Sequence, residues 1–438
     1  MSIFGKNAFG LDISDRSIEA LELKRRFGKL VVYAYGRIQL ERGVVENGRI
    51  IKKGAFVAAL QSLLGSTHPR PLKTKNVILS IPESKTFIHV FKIPAIISSQ
   101  NISEAVQFEA DATIPISFEQ VYHDYQILTE DKEFQDVLYI ASFKEIIDGY
   151  CEAVRASGLN PVAIEPESLA LARALIRKEV ADATLIVDAG ARTTTITVYD
   201  RHGIRYSAST KAAGDAFTAA VAKQLNIPAD KATQLRKAVG FVQMPAKDED
   251  LKVSAALQEP MKEITETITR AMSFYSKRTG IAVGRIITCG GTSLTPGFVE
   301  QLRRVLQLPV EIGNPLNEIQ YEKDAQFKIK KQVLYATVVG LARRGISEKT
   351  ERKDIHFLTH EKEHKKFIAS KEFKKEEPVV VKEKKQLSIR GQFANKRVVV
   401  LVVVFVVLIL LFITVLALSG GGEEPLIKFY STEHITDY

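Results

Sequence analysis

The amino-acid sequence predicts an α/β protein with two lobes, and three observations carry this prediction. The chain has 438 residues, which is more than one simple compact core requires. From about Phe9 to Gly345, segments with the pattern of strands alternate with segments with the pattern of helices. Two similar hairpins, each with an aspartate at the end of its first strand, lie 176 positions apart. Two lobes that face each other would place these hairpins on opposite sides of one cleft.

The expected elements follow from apolar alternation in strands and from helical spacing in helices. Strands are expected at 8–13, 18–23, 31–40, 77–81, 185–188, 194–199 and 285–289. Helices are expected at 53–64, 101–112, 144–157, 215–225, 257–279 and 297–306. The two-lobed body is therefore expected to occupy residues 1–347.

The segment 348–397 has a different character, because charged residues dominate it. It carries 15 Lys and Arg against 9 Asp and Glu, a net charge of +6 within a chain total of +10. This composition predicts a solvated linker close to anionic lipid. No aromatic and basic motif accompanies the charge, so a nucleic-acid partner is not expected.

Residues 398–418 form an uncharged run of 21 residues, which predicts a transmembrane helix about 31 Å long. Lys396 and Arg397 precede the run, and the tail at 419–438 is mainly acidic. The positive-inside rule therefore predicts a cytoplasmic body and a short tail outside the inner membrane. Cys151 and Cys289 form no paired motif, and the N-terminus has no signal-peptide pattern, which fits a reducing compartment.

Asp12 and Asp188 are the aspartates that end the first strand of the two hairpins. A turn between two strands presents consecutive backbone N–H groups to an anion, and small residues let a phosphate approach closely. An aspartate beside each turn can hold Mg²⁺ directly or through water. The pair therefore predicts a clamp for a metal-bound triphosphate.

A third segment of interest runs from Cys289 to Gly297, after an expected strand and before an expected helix. Gly290 and Gly291 allow the close approach of a flat ring, and a helix N-terminus favours anions. An ordinary strand–turn–helix connection is the simpler alternative. Together with the two hairpins, the segment favours binding of the adenosine part of a nucleotide.

The order of these three segments resembles the superfamily of actin, Hsp70 and the sugar kinases. Within it, residues 5–346 resemble the PilM family of type IV pilus assembly proteins. The stretches that carry this resemblance are FGLDI at 9–13, SIPES at 80–84, AVQFEADATIP at 105–115, SGLNPVAIEPE at 157–167 and LARRG at 341–345. The middle stretches resemble the small subdomain that PilM and FtsA share, which would occupy 82–158. The resemblance implies the two-lobed actin-like ATPase fold, which is ribonuclease H-like, with this subdomain inserted.

The resemblance also implies ATP and Mg²⁺ as cofactors. Asp12 and Asp188 would coordinate the metal through water, and Glu165 would orient an attacking water. The residues implied around the phosphates are Ser14, Arg16, Gly190, Arg192 and Thr193. The residues implied around the ribose and the base are Gly214, Gly290, Gly291, Thr292 and Ser293. Gly340 would lie in the hinge helix.

Two positions depart from the family pattern. Ser14 stands where the family usually has glycine in the first phosphate turn, and its Cβ would crowd the phosphate or shift the turn. Thr233 stands where the family often has a glutamate that binds ribose. Both changes bear on hydrolysis more than on binding, so the chain is expected to be at most a slow ATPase.

The charged linker contains a short apolar motif at 354–359. It resembles the cytoplasmic N-terminal motif of PilN, which also precedes basic residues and one transmembrane helix. The apolar residues Ile355, Phe357 and Leu358 are therefore expected to dock on the body beside the small subdomain, in cis or on a neighbouring subunit. The sequence HEKEH at 360–364 matches a zinc-binding pattern, but a charged linker produces such matches by chance.

The expected function is that of an ATP-binding, membrane-anchored scaffold in a type IV pilus or a related type II secretion machine. The expected partners are PilN-like and PilO-like inner-membrane proteins and the pilus motor ATPase. One alternative is a polymerising cell-division ATPase of the FtsA type. Another is a sugar or acid kinase, which the membrane anchor and the inserted subdomain do not favour.

Overall fold

The computed structural model describes residues 7–98, 101–114, 116–176, 182–241, 247–321, 329–346 and 355–358. The strands are β1 (Phe9–Ile13), β2 (Ser17–Arg26), β3 (Lys29–Gln39), β4 (Val45–Glu46), β5 (Arg49–Ile50), β6 (Asn76–Ile81), β7 (Thr86–Pro94), β8 (Val121–Glu130), β9 (Phe134–Phe143), β10 (Asn160–Pro166), β11 (Ala183–Ala189), β12 (Thr194–Asp200), β13 (Gly203–Thr210), β14 (Val283–Cys289), β15 (Val310–Ile312) and β16 (Ile319–Gln320). The helices are α1 (Lys53–Gly65), α2 (Ile102–Thr113), α3 (Lys144–Ala156), α4 (Glu167–Leu175), α5 (Gly214–Leu225), α6 (Ala229–Ala238), α7 (Asp248–Ala256), α8 (Gln258–Thr279), α9 (Phe298–Leu306) and α10 (Ala336–Gly345). The expected strands and helices are all present, with bounds that differ by a few residues.

The first lobe is built on a six-stranded sheet in the order β10, β6, β1, β2, β3, β16. Strands β1 to β3 form an antiparallel meander, and β6 and β10 extend the sheet in parallel with β1. Apolar side chains of the sheet pack with side chains of α1 and α3, among them Phe56 and Tyr150, to form the core. The two edge strands of this sheet are β10 and β16.

The second lobe repeats this arrangement in a five-stranded sheet with the order β13, β12, β11, β14, β15. Strands β11 to β13 form an antiparallel meander, and β14 and β15 follow in parallel. Side chains of α5, α7, α8 and α9 complete its core. Asp12 and Asp188 are each the residue before the last one of the first strand of their meander. The repeat of the two hairpins in the sequence is therefore a repeat in structure.

Helices α4 and α10 pack against each other between the two sheets. Their apolar side chains form one cluster with side chains of both lobes, including Leu21 of the first and Ile186 of the second. A Cβ on Gly340 would lie 1.9 Å from the carbonyl oxygen of Ala170, so only glycine permits this approach. Gly340 thus lies in the helix that connects the lobes.

A separate three-stranded sheet, in the order β7, β9, β8, follows strand β6 in the chain. It has its own apolar cluster with α2, which includes Val106, Val137 and Tyr139. Helix α3, which ends the expected subdomain, packs instead into the core of the first lobe. Asp136 of β9 forms ion pairs with Arg205 and Arg278 of the second lobe.

Among the described residues, no helix is long and apolar enough to cross a membrane. The uncharged run at 398–418, the tail at 419–438 and the histidine pair at 360–364 lie outside the described residues. Of the charged linker at 348–397, only residues 355–358 are described.

Candidate functional site

The turn between β1 and β2 is closed by the side chain of Ser14. Its Oγ accepts hydrogen bonds from the backbone N–H groups of Arg16 and Ser17, at 3.3 and 3.1 Å. The same hydroxyl donates to the carbonyl oxygen of Ser17 at 3.1 Å. The serine therefore engages two backbone donors that a glycine at this position would leave for a bound anion.

The turn between β11 and β12 is joined to the start of α5 and to the segment after β14. The N–H of Gly190 donates to the carbonyl oxygen of Thr193 at 3.0 Å, which closes the turn. The carbonyl oxygen of Gly190 accepts from the N–H of Gly214 at 3.1 Å and from Oγ1 of Thr292 at 2.6 Å. A Cβ on Gly214 would lie 2.7 Å from that Oγ1 of Thr292, so the glycine permits this close packing.

The segment after β14 lies directly against Asp188. Gly290 has a φ of +78°, and a Cβ there would lie 2.4 Å from Oδ1 of Asp188. Oγ of Ser293 donates to the carbonyl oxygen of Gly290 at 2.7 Å, with Gly291 between them in the chain. The structure therefore brings the expected adenosine segment and the second hairpin together.

Two ion pairs cross the cleft between the hairpins. Arg16 of the first turn contacts Asp215 of α5 at 2.7 Å, and Arg192 of the second turn contacts Asp15 of the first at 3.1 Å. Arg192 also donates to the side-chain oxygen of Asn47 at 3.0 Å. Each expected phosphate-binding arginine thus pairs with a carboxylate across the cleft, and all four side chains remain partly exposed. An anion in the cleft would compete with these carboxylates for the guanidinium groups.

The carboxylates of Asp12, Glu19 and Asp188 form a group at the base of the cleft, in which Glu19 is buried and the two aspartates are half-buried. Burial and the nearby carboxylate of Asp12 together raise the pKa of Asp188 to about 6, against the effect of a hydrogen bond from Cys289. Burial and the charge of Asp12 raise the pKa of Glu19 to about 7, against the effect of Arg37. Burial also raises the pKa of Asp12, although Oγ of Ser80 donates to its Oδ1 at 2.6 Å. The group carries more negative charge than its neighbours neutralise.

Two further carboxylates, Glu83 and Glu167, belong to this group and were not expected from the sequence. Burial and the charges of Asp12 and Asp188 raise the pKa of Glu167 well above its ordinary value. Burial raises the pKa of Glu83, and its Oε2 is buried with no hydrogen-bond partner in the described part of the chain. Such a surplus of buried carboxylate oxygens fits a cation. Among the described ranges, no three His, Cys, Asp or Glu side chains converge as direct metal ligands.

Glu165, the expected water-orienting residue, is fully buried between two arginines. Arg173 donates to its two oxygens at 2.6 and 3.1 Å, and Arg344 also contacts it. Although burial acts to raise it, these two guanidinium groups hold the pKa of Glu165 below its ordinary value. The role assigned to Glu165 stays a prediction, and Glu167 is the glutamate whose charge lies closer to Asp12 and Asp188.

Helix α6, which carries Thr233 at the position predicted to lie near a ribose, also carries a buried arginine. Thr233 donates to the carbonyl oxygen of Ala229 within its own helix, at 2.9 Å. On the same helix, Arg236 is 6% exposed and donates to Oγ1 of Thr295 at 2.9 Å. Its Nε has no hydrogen-bond partner within the described ranges. Arg236 was not expected from the sequence, because a lone arginine on a helix has no distinguishing pattern.

A second site holds the linker motif at the edge of the first lobe. Ile355, Phe357 and Leu358 are 3%, 0% and 4% exposed, and they belong to the apolar core of that lobe. The N–H of Phe357 donates to the carbonyl oxygen of Ile164 on the edge strand β10, at 3.0 Å. The N–H of His356 donates to a carboxylate oxygen of β8 in the inserted sheet, at 3.0 Å. The segment thus lies between the first lobe and the inserted sheet.

The stability of the protein without divalent cations should fall as pH rises from about 4 to about 7. The pKa values of Glu19 and Asp188, about 7 and about 6, lie above their ordinary values. In this range the folded state therefore binds more protons than the unfolded state, and deprotonation destabilises the fold. We expect Glu19→Gln to remove roughly 1–3 kcal/mol of this pH dependence, as measured by urea unfolding at several pH values.

The matched control for this measurement is Glu104→Gln, which changes an exposed carboxylate on α2. This variant should keep the slope of stability against pH. A wild-type protein that becomes more stable between pH 4 and pH 7 would contradict the assignment of these carboxylates as buried and repelling.

Comparison with known proteins identifies the family and the fold. The family model described as type IV pilus assembly protein PilM matches residues 10–346. A solved structure described as the PilM-PilN type IV pilus biogenesis complex is 21% identical, with a TM-score of 0.67 over 78% of this chain and 99% of that one. MreB5 of Spiroplasma citri bound to AMPPNP is 16% identical, with a TM-score of 0.46 over 84% of this chain and 99% of that one.

The cell division protein FtsA of Pseudomonas aeruginosa is also similar, 25% identical over 218 residues. The match covers 46% of this chain and 51% of FtsA, so the chain spans about half the length of this curated relative. The two lobes described above have the actin-like ATPase fold. Since the family model covers most of its length, the chain belongs to the PilM family of type IV pilus assembly proteins.

Proposed function

We propose that the chain is an ATP-binding scaffold, anchored in the inner membrane, of a type IV pilus or a related type II secretion assembly complex. The observation that carries the proposal is the cleft of a PilM family member in which two aspartate-ended hairpins face each other. Buried carboxylates and two arginines converge there, as a metal-bound triphosphate would require. The docked linker motif supports the scaffold part of the proposal.

The residues proposed to hold the nucleotide come from both lobes. Asp12 and Asp188 would hold Mg²⁺ through water, and the metal would neutralise phosphate charge. Arg16 and Arg192 would exchange their carboxylate partners for phosphate oxygens, because both guanidinium groups are partly exposed and solvent screens these ion pairs. Gly290, Gly291 and Ser293 would line the adenosine side together with Gly214 and Thr292. Nucleotide binding would thus bias the angle between the lobes.

A scaffold of this kind does not require fast hydrolysis. Ser14 engages two backbone donors of the first turn, and Glu165 has both oxygens on arginines. These contacts leave neither group ready to act on a water or on the terminal phosphate. We therefore propose slow turnover at most. If ATP is hydrolysed, replacement of Glu165 or of Glu167 would show which of these two carboxylates supports the reaction.

The proposed partners include a PilN-like segment, and in this chain the segment at 354–359 takes that part in cis. The solved relative described as a PilM-PilN complex supports such a partner for the family. Arg344 at the end of α10 donates to the carbonyl oxygen of Ile355 at 2.9 Å. Because only residues 345–354 separate the two, the effective concentration of the segment is of the order of millimolar. Docking in cis should therefore prevail over docking on a neighbouring subunit.

The proposed docking is marginal in free energy and hence reversible. Burial of three large apolar side chains contributes about 1.5–3 kcal/mol each. Ordering of the four described backbone residues costs about 1–2 kcal/mol each, which is of the same order in total. A segment balanced in this way can exchange with the matching motif of another membrane protein, such as a PilN-like or PilO-like partner.

The FtsA match favours one alternative, a polymerising actin-like ATPase. A polymer would require ATP-dependent assembly of the body. Filaments seen by electron microscopy with Mg·ATP would support this alternative, whereas a constant size in light scattering would favour the scaffold.

Replacement of Asp188 should weaken Mg·ATP binding at least tenfold. Asp188→Asn removes one of the two charges that link the phosphates to the metal, while the side chain keeps its size. Calorimetry with Mg·ATP measures the affinity directly. Asp182→Asn is the matched control, since Asp182 precedes the same strand at its other end and is exposed. Equal Mg·ATP affinity of the wild-type protein and the Asp188→Asn variant would refute the site. A wild-type protein that does not bind Mg·ATP would refute it as well.

Replacement of Ser14 by glycine should strengthen ATP binding about tenfold, because two backbone N–H groups become available to the phosphates. The same titration with Ser14→Ala separates two causes. If alanine strengthens binding as much as glycine does, the hydroxyl competes with phosphate; if only glycine does, the Cβ crowds it. An affinity that falls in both variants would contradict the competition between Ser14 and the phosphates for these backbone donors.

The docked segment should protect its backbone N–H groups from hydrogen exchange in the full chain. We expect residues 355–358 to exchange at least tenfold more slowly than the linker on either side, and Ile355→Asp together with Leu358→Asp to abolish this protection. Phe108→Asp is the control, because Phe108 is 73% exposed on α2. Protection that increases with protein concentration would indicate docking in trans, and exchange as fast as in the flanking linker would exclude docking.

A further inference from the structure

The tip of the hairpin between β2 and β3 exposes a phenylalanine completely. Phe27 and Gly28 form the two-residue turn, with φ values of +49° and +76°, and Arg26 pairs with Lys29 across it. Both residues of such a turn need positive φ, which is unfavourable for phenylalanine. Phe27 is 104% exposed, more than any other large apolar side chain in the described ranges. Phenylalanine at this turn position is therefore unfavourable in two ways, because its ring is exposed to solvent and its backbone has a positive φ.

The residues around Phe27 are strongly basic. Lys24, Arg25, Arg26 and Lys29 supply four cations within the six residues 24–29, and this stretch contains no acidic residue. Arg25, Arg26 and Lys29 are exposed, while the Lys24 ammonium lies 3.1 Å from the ring centre of a tyrosine on β3. An exposed aromatic ring within a group of cations matches the interface of an anionic bilayer, where the ring enters and the cations contact headgroups.

The position of the hairpin agrees with a membrane contact. The other end of β2 begins next to the Ser14 turn, so the Phe27 tip lies at the opposite end of this long strand from the nucleotide cleft. Arg25 lines a cavity of about 1200 Å³ together with Arg343 and Ile346, at the end of α10. The tip therefore lies at the end of the first lobe where α10 ends, away from the nucleotide cleft.

We propose that this hairpin is a second membrane contact, in which Phe27 inserts into the headgroup region of an anionic bilayer and Arg25, Arg26 and Lys29 bind lipid phosphates. The proposal rests on the membrane anchoring described under the proposed function, because a single exposed phenylalanine needs the body to be held close to the bilayer. The contact fixes the orientation of the body, with the nucleotide cleft facing away from the lipid.

The chain contains no tryptophan, so Phe27→Trp introduces a single fluorescent probe. The full chain carrying this change is reconstituted in nanodiscs of phosphatidylcholine alone or of an equimolar mixture with phosphatidylglycerol. In the anionic discs we expect blue-shifted emission and quenching by lipids brominated near the headgroup. Adding Arg26→Gln or Lys29→Gln should lower the ratio of quenched to unquenched protein roughly fivefold for each cation removed.

The matched control is Phe108→Trp, since Phe108 is also an exposed phenylalanine but lies on a helix with the acidic residues Glu104 and Asp111. Its emission should stay unshifted and unquenched in both kinds of disc. Unquenched emission from the Phe27→Trp variant, in protein that remains on the discs, overturns the hairpin contact and leaves the anchor intact. Equal quenching in both lipids overturns the role of the cations.

A shift that grows with protein concentration and shows no quenching also overturns the proposal, because the hairpin then binds another copy. Protein that leaves the discs altogether contradicts the anchor and not the hairpin. The two proposals therefore fail in different ways.

Discussion

The close packing of α4 on α10 is the constraint on which the rest of the structure depends. The backbone of Gly340 approaches the carbonyl oxygen of Ala170 so closely that no side chain fits between them. Gly10 makes a similar approach to α10 from the first lobe, where a Cβ would lie 2.5 Å from the carbonyl oxygen of Val338. These contacts hold both sheets against one pair of helices. This packing at their base places the two hairpins so that they face each other.

The cleft above this base combines buried and exposed charges with different tasks. The half-buried carboxylates of Asp12 and Asp188 repel each other, and the proposed cation would relieve this repulsion. The exposed pairs of Arg16 with Asp215 and of Arg192 with Asp15 each contribute little to stability and can change partners. In the proposed function, the charge at the base of the cleft would select the ligand, and the ion pairs across the cleft would exchange partners when it binds.

Much of the fold was predictable from the sequence, because its strands and helices carry strong local patterns. The hairpins at Asp12 and Asp188 were found from strand ends and small turn residues, and the structure places them as expected. Helix α10 was expected only from the family resemblance, since eight of its residues are buried and it shows no polar face. The roles of Glu83 and Glu167 could not be predicted, because their partners lie far away in the chain. Burial of the 355–358 motif was expected, whereas its backbone pairing with β10 leaves no signature in the sequence.

Arg344 links the helix between the lobes to the docked linker motif. It stands on the helix between the lobes and touches both Glu165 and the carbonyl oxygen of Ile355. A ligand that rotates one lobe about α10 would therefore also shift the place where the linker motif lies. Thermodynamic linkage is reciprocal, so if nucleotide changes the affinity for the motif by some factor, the motif changes the affinity for nucleotide by the same factor. A partner that displaces the motif would then change the affinity of the cleft for nucleotide. Nucleotide occupancy and assembly with the partner would therefore be coupled.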